Sequence, residues 1–423
     1  MIDSIDRGGC IKRDRITQLR VKGMRVIDDV TLDLQGLTVL IGDNGTGKST
    51  LLDAFELLRQ AAKPLNYCQD VMEEGHGGLL NLLRRGAPEL TLGIAVEGEG
   101  PRLEYEFAVS LVGTAPAIVS ETLDVYPGEG ALEPLHALDR TGARAKVFDV
   151  EKRTQIELEI DVQMLVLTSF GLMAQPAFKR VIRALDAIDH QVSFETRAVW
   201  QQREMDIRVG PRWPSLLDRA EKVARYGLNL PSCFQALRNL DSTVWDRVLE
   251  RARLGLGSNI RDFRVAAAGG GNVDLEIVFG SMPDRPVPVR SLSEGQLSYL
   301  LFIALVELNT NRSVLVFDEP ETHLHPSLLA RVVWILEQVA ADYPIVLATH
   351  SDRLLDALES PESSVVLCDL DHRGATRLRR PNRERLEEWL QDYRGLGSLR
   401  AEGYEAHVFD GSITISGPGA NHP

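Results

Sequence analysis

The stretch LTVLIGDNGTGKS, residues 37–49, constrains this chain more than any other. An unbroken apolar run ends in glycine, a glycine-rich loop follows, and Leu51, Leu52, Phe55 and Leu58 then recur at helical spacing. Such a run reads as a strand buried on both faces, which requires a parallel sheet with helices on either side. The loop Gly42-Asp43-Asn44-Gly45-Thr46-Gly47-Lys48-Ser49 fits GxxxxGK[ST] in the strand-turn-helix setting that the motif needs. Glycines let successive N–H groups converge on phosphate oxygens, and the helix N-terminus adds the positive end of its dipole. Lys48 is expected to reach the β and γ phosphates and the Ser49 hydroxyl to ligate Mg²⁺, with Asp43, Asn44, Gly45, Thr46, Gly47 and Thr50 completing the cradle. The spacing GxxGxG does not fit the dinucleotide pattern GxGxxG.

A second acidic feature fits the first. Val314-Leu315-Val316-Phe317 precedes Asp318-Glu319, so a buried strand delivers two carboxylates to the sheet edge where open α/β folds bind ligands. Asp318 suits the sphere of a Mg²⁺ ion and Glu319 suits a general base that polarises the attacking water. An acidic pair ending a strand is otherwise a solvated turn, and it is the partnership with the phosphate loop that favours chemistry.

The rest of the chain divides by period. ITQLRVKGM and VIDDVTLDL alternate as a β-hairpin, and LTLGIAVEG, RLEYEFAVSLV and TQIELEID continue the period-2 pattern as an antiparallel β subdomain. FKRVIRALDAI, LLDRAEKVARYG and WDRVLERARLG have helical spacing, without a sustained heptad that would imply a coiled-coil arm. Strands FRVAAA and VDLEIVFG, a helix from Glu294, SVLVFDE, a helix PSLLARVVWILEQVA, IVLATH and SSVVLCDL follow. We expect an α/β fold with a loose extension over 1–15, the first part of a nucleotide-binding head over 16–88, the β subdomain over 89–162, an inserted helical lobe over 163–258, the second part of the head over 259–400, and a tail over 401–423.

Two further motifs define the order along the chain. Leu292-Ser293-Glu294-Gly295-Gln296 precedes a helix, 22 residues ahead of Asp318, and Leu347-Ala348-Thr349-His350-Ser351 closes a later strand. This order resembles ATP-binding cassette proteins, with Leu292–Gln296 similar to their LSGGQ signature but carrying Glu294 at its first glycine. The resemblance implies that Ser293, Gly295 and Gln296 contact ATP held by a second head, and that His350 hydrogen-bonds its γ-phosphate. A plain serine N-cap, with Gln296 at the fourth position of a capping box, satisfies the same residues. His323 and His325, within Glu321–Pro326 where such proteins have their D-loop, have no further His or Cys nearby for a metal site.

The hairpin, GDNGTGKST and DEPETHLHP together resemble the RecF and structural-maintenance-of-chromosomes (SMC) branch, and more closely the stand-alone RecF-like ATPases of bacteria, from Ile16 to about Leu399. This implies an ABC-type P-loop ATPase head that binds ATP and Mg²⁺, hydrolyses ATP and pairs with a second copy; Arg25 matches a hairpin arginine that approaches nucleotide. The branch's Q-loop glutamine falls on Gln163 or Gln175. Only 73 residues follow His350, too few for the nuclease domain of fused relatives, and Asp369 and Asp371 read more readily as a turn closing the last strand than as a metal site.

The formal charge of −14 excludes a surface devoted to blanketing nucleic acid but not a local basic groove. Arg377, Arg379, Arg380, Arg383 and Arg385 could form one, yet Glu384, Glu387 and Glu388 interleave them as on a solvated helix. Two functions therefore stand: a machine acting on duplex DNA in repair or antiphage defence, with a separate effector such as a nuclease, or a regulator that holds a protein effector without DNA. Four scattered cysteines fit reduced thiols in a cytoplasm, and no apolar run is long enough to span a membrane.

Overall fold

The computed structural model describes residues 13–98, 100–128, 133–149, 154–170, 176–199, 201, 210–308, 311–390, 395–404 and 407–409. Gln175, most of the expected extension over 1–15 and most of the tail over 401–423 lie outside them. The hairpin β1 (Arg15–Met24) and β2 (Ile27–Asp33) leads to β3 (Leu37–Ile41) and helix α1 (Lys48–Gln60). β4 (Leu90–Gly98), β5 (Gly100–Val112), β6 (Ala115–Tyr126), β7 (Leu135–Thr141), β8 (Arg144–Asp149) and β9 (Thr154–Glu159) form a meander. Helix α2 (Pro176–Asp186), β10 (Ile188–Gln191), β11 (Ser215–Leu216), α3 (Leu230–Arg238) and α4 (Ser242–Leu256) come next. β12 (Ile260–Gly269), β13 (Asn272–Phe279) and β14 (Met282–Pro288) precede α5 (Glu294–Leu308), β15 (Val314–Asp318), α6 (Pro326–Val339), β16 (Ile345–Thr349), β17 (Val365–Leu370) and β18 (Thr376–Arg379).

The six-stranded central sheet has the order β10-β15-β16-β3-β17-β18, and all neighbours are parallel except β17 and β18. Its strands carry apolar residues on both faces because each face is covered. Leu37, Val39 and Ile41 of β3, Leu315 and Phe317 of β15, and Ile345 and Leu347 of β16 enter one core. Leu40, Val314, Val316, Val346 and Ala348 enter the other. Successive strand side chains point to opposite faces, so the sheet is a wall between two cores. On one side α1 packs with the meander through Leu51, Phe55 and Leu58. On the other lie α3, α4, α5 and α6.

The structure changes three expectations. The hairpin and the β subdomain are one eight-stranded sheet, since β1 pairs with both β2 and β4. Segment 163–258 is not purely helical: β10 joins the central sheet beside β15, and LLDRAEKVARYG forms no helix beyond a single turn at Arg225–Gly227. Leu216 and Leu217, on the face that such a helix would bury, are 69% and 51% exposed, and Asn229 and Ser232 take backbone N–H groups of Ala224 and Asp218 instead. Thirdly, β17 is not the last strand. Asp369 and Asp371 belong to a β17–β18 hairpin, Asp369 receiving Arg377 at 2.9 Å and Arg379 at 2.7 Å, and Asp371 accepting the N–H groups of Arg373 and Ala375. Arg377 and Arg379 accordingly lie on a strand rather than a surface helix. Among the described residues no helix is long and apolar enough to cross a membrane.

Candidate functional site

Parallel pairing sets the site, because register brings the strand ends to one edge. Gln191 of β10 faces Phe317, Asp318 faces Ala348, Thr349 faces Ile41 and Ile41 faces Leu367. The loops after β3, β15 and β16 thus emerge side by side, carrying Gly42–Ser49, Glu319 and His350.

The loop after β3 is held tightly. Gly47 has φ +104°, and a Cβ there would lie 2.4 Å from Thr376 Oγ1, the hydroxyl that donates to Thr46 O at 2.9 Å; only glycine meets both demands. Lys48 is 4% exposed, and its Nζ donates to Gly42 O at 2.7 Å and Asp43 O at 2.9 Å. Burial holds its pKa below the ordinary lysine value, with Arg400 acting in the same direction against the opposing influence of Cys368. An ammonium has three protons, so two carbonyls leave one for an anionic oxygen. Thr46 and Thr50 are buried, whereas Asp43, Asn44, Gly45 and Ser49 are exposed along the rim. Arg25, at φ +48° in the β1–β2 turn, donates to Asp53 Oδ2 on α1 at 2.5 Å, which brings the hairpin over the first turns of that helix.

Across the edge, burial pushes the Asp318 carboxyl above the usual aspartate value, and the charge of Glu319 adds to it while His190 opposes it. Glu319 is exposed and stands at φ +51°, with its N–H on Ala348 O at 2.8 Å. A left-handed glutamate costs about 1–3 kcal/mol and persists where surrounding bonds impose it. His350 is exposed, and its N–H donates to Glu321 Oε1 at 3.3 Å.

The signature segment lies elsewhere. Ser293 and Gln296 form a reciprocal capping box at the start of α5, with Ser293 N donating to Gln296 Oε1 at 3.0 Å and Gln296 N to Ser293 Oγ at 3.3 Å. Ser293 is exposed and Gly295 buried. α5 packs on the core opposite to that of α1, so Lys48 and Ser293 begin helices on different faces of the sheet. His325 caps α6 by accepting Ser327 N at 3.3 Å, which gives it a structural task. Among the described residues no group of three potential metal ligands occurs.

Several neighbours of the site escaped the sequence reading. His190 and Gln191 end β10 beside the acidic strand. Gln191 Oε1 is buried without a hydrogen-bond partner, while its Nε2 donates to Asp189 at 2.7 Å; a buried orphan acceptor at a strand end is a functional candidate. Gln163 instead receives Asn66 Nδ2 at 3.0 Å. Arg400 reaches Asp352 at 2.8 Å and Asp43 at 3.4 Å, clasping the phosphate loop. Arg212, 5% exposed, donates to Thr196 O, Arg290 O and Leu292 O and braces the signature from behind. The four-residue strand IDHQ, with one apolar residue, gives no periodic signal in the sequence for His190 and Gln191.

Residues 15–108 match the family described as "AAA ATPase domain", and residues 271–356 the one described as "AAA domain, putative AbiEii toxin, Type IV TA system". The DNA replication and repair protein RecF of Crocosphaera subtropica (strain ATCC 51142 / BH68) is 36% identical over 91 residues, which are 21% of this chain and 24% of that protein. The chain therefore spans about a quarter of the curated relative it matches. An SMC head bound to the C-terminal winged-helix domain of ScpA shares the fold, with a TM-score of 0.50 at 12% identity over 86% of this chain and 96% of that one. With its phosphate loop, acidic strand and His350 at one edge of the central sheet and its signature at the start of α5, the chain carries two segments that match ATPase-domain families and is similar to RecF in sequence and to an SMC head in fold.

Proposed function

We propose that this protein binds Mg·ATP at the edge formed by the loops after β3, β15 and β16, and hydrolyses it when two copies close head to head. The observation that carries the reading is the shared register of these strands, with Lys48, Asp318, Glu319 and His350 at one edge. The residues suit the ligand: a glycine loop and buried ammonium favour phosphate, and two adjacent carboxylates, one raised by burial and by the other's charge, favour a divalent cation. Ser49 and Asp318 would hold Mg²⁺, which when bound offsets charge on the β and γ phosphates. Lys48 and the Asp43–Thr50 segment bind the phosphates, Arg25 approaches the nucleotide, Glu319 takes a proton from water, and His350 steadies the terminal phosphate. Ser293, Gly295 and Gln296 serve the nucleotide of the opposite head, a division supported by α1 and α5 lying on different faces.

The cycle would drive a DNA-associated process with a separate effector, as the likeness to RecF suggests. One observation favours the alternative of a protein effector without DNA: Arg377 and Arg379 are engaged by Asp369 and Arg383 by Glu387, so carboxylates already hold part of the main arginine cluster. Paired nucleotide-binding and turnover measurements test the assignment. Glu319→Gln should retain ATP and lose about 10²-fold or more in kcat, whereas Lys48→Ala should lose ATP binding too; equal loss of affinity in both variants refutes these roles. DNA binding measured across salt separates the two processes, since affinity resting on phosphate contacts falls steeply with ionic strength.

A further inference from the structure

Glu294 stands where the signature of ABC proteins has glycine, and the turn after Glu319 supplies its partner. His323 Nδ1 lies 2.8 Å from Glu294 Oε2. Beside this pair the helix and the turn are in close contact: a Cβ on Gly295 would come 2.7 Å from His323 O, so only glycine admits the approach. His323 itself has φ +66°, a conformation that costs a β-carbon-bearing residue energy and that its surroundings must enforce. The same turn is fastened on its other side. Glu321 Oε1 accepts Thr349 Oγ1 at 2.5 Å and His350 N at 3.3 Å, and within the turn Thr322 N donates to Glu319 O and Leu324 N to Glu321 O.

We infer that the Glu294–His323 pair is a latch that ties the start of α5 to the turn bearing Glu319, and that both are positioning residues for hydrolysis. The inference rests on the two-head reading above. A phosphate from the opposite head pulling on Ser293 moves Glu294 with it, because the two are adjacent in the first turn of one helix. The latch passes that displacement to His323, and the hydrogen-bonded turn passes it to Glu319 on one side and through Glu321 to His350 on the other. The acidic departure from LSGGQ is thereby explained: it exchanges a glycine for a side chain that couples two loops within one chain.

The test compares Glu294→Ala, Glu294→Gly, His323→Ala and the Glu294→Ala/His323→Ala double variant in the full chain. Melting curves check folding. We expect nucleotide affinity and KM to stay at wild-type values while kcat falls about tenfold or more, the loss that a misplaced general base produces. The double variant should be no slower than either single one, as for residues acting through one contact. Glu294→Gln, which keeps an acceptor for the imidazole N–H, should restore most of kcat, and a purely structural role would not give that rescue. Wild-type kcat in both single alanine variants, alongside abolished hydrolysis in Ser293→Arg, overturns the latch and leaves the two-head reading standing. Unaltered association and hydrolysis in Ser293→Arg overturns both.

Discussion

Removing the carboxylate of Asp189 should be among the most destabilising single changes in the central sheet. Asp189 on β10 is 5% exposed and Arg312, just before β15, is 1% exposed. Arg312 Nε donates to Asp189 Oδ2 at 2.6 Å, Nη1 to the Tyr343 hydroxyl at 3.1 Å and Nη2 to Leu305 O at 2.5 Å. Asp189→Ala leaves a guanidinium inside the protein without its counter-charge. Breaking a buried pair in this way costs about 3–5 kcal/mol, and the acceptors that survive, Tyr343 and Leu305 O among them, favour the lower end, about 3 kcal/mol. In a chain of 423 residues each kcal/mol moves Tm by about 1 °C, so calorimetry should find a fall of roughly 3 °C. Asp189→Leu with Arg312→Met removes both charges and should recover most of the loss, because desolvation consumes most of what such a pair gains. Arg383→Ala, which breaks an exposed pair with Glu387, should shift Tm by about 1 °C or less. A melt of Asp189→Ala indistinguishable from that of Arg383→Ala would refute the reasoning.

Acid dependence should also be traceable to one hairpin. Burial would raise the Asp369 carboxyl, but hydrogen bonds and charge from Arg377 and Arg379 prevail and hold it below the ordinary aspartate value of 3.8. Its stabilising contribution is therefore complete above about pH 4 and is lost as pH falls through the folded pKa; Asp369→Asn should flatten that part of the stability curve measured by denaturant titration. The thiols of Cys68, Cys233 and Cys368 are buried and pushed up to about 12 by that burial, so an aromatic disulfide reagent at pH 8 should leave all three unmodified until denaturant is added. Fast modification of any of them in the native protein would contradict the packing.

What could be read from the residues in advance was local. The phosphate loop, the acidic strand and His350 each follow an unbroken apolar run, and the run fixes the strand without help from elsewhere. The signature was legible only through its position, since Ser293 and Gln296 alone describe the capping box that the structure contains. β10 was missed because four residues are too few to display a period, and its pairing with β15 joins segments more than a hundred residues apart. The merging of the hairpin with the meander was hidden for the same reason: β1 carries a pattern that suits one partner as well as two, and β4 is distant in sequence. LLDRAEKVARYG has helical spacing, but only Ala220 and Val223 of its apolar side chains reach the core while Leu216 and Leu217 stay exposed, so tertiary context overrode the pattern. Glu294 looked like a blemish in a motif until His323 appeared opposite it.

The place of β3 between β16 and β17 has a consequence for biosynthesis. Both of its neighbours lie roughly 300 residues further along, and at about 5–20 residues per second a ribosome needs roughly 15–60 s to deliver them. Throughout that interval the apolar edge of LTVLI has no sheet to join, although the hairpin before it and the meander after it can already pair. The nascent chain is therefore exposed to aggregation at the segment that leads into its phosphate loop, and a chaperone that shields short extended apolar segments would raise the yield of folded protein more than one acting after release.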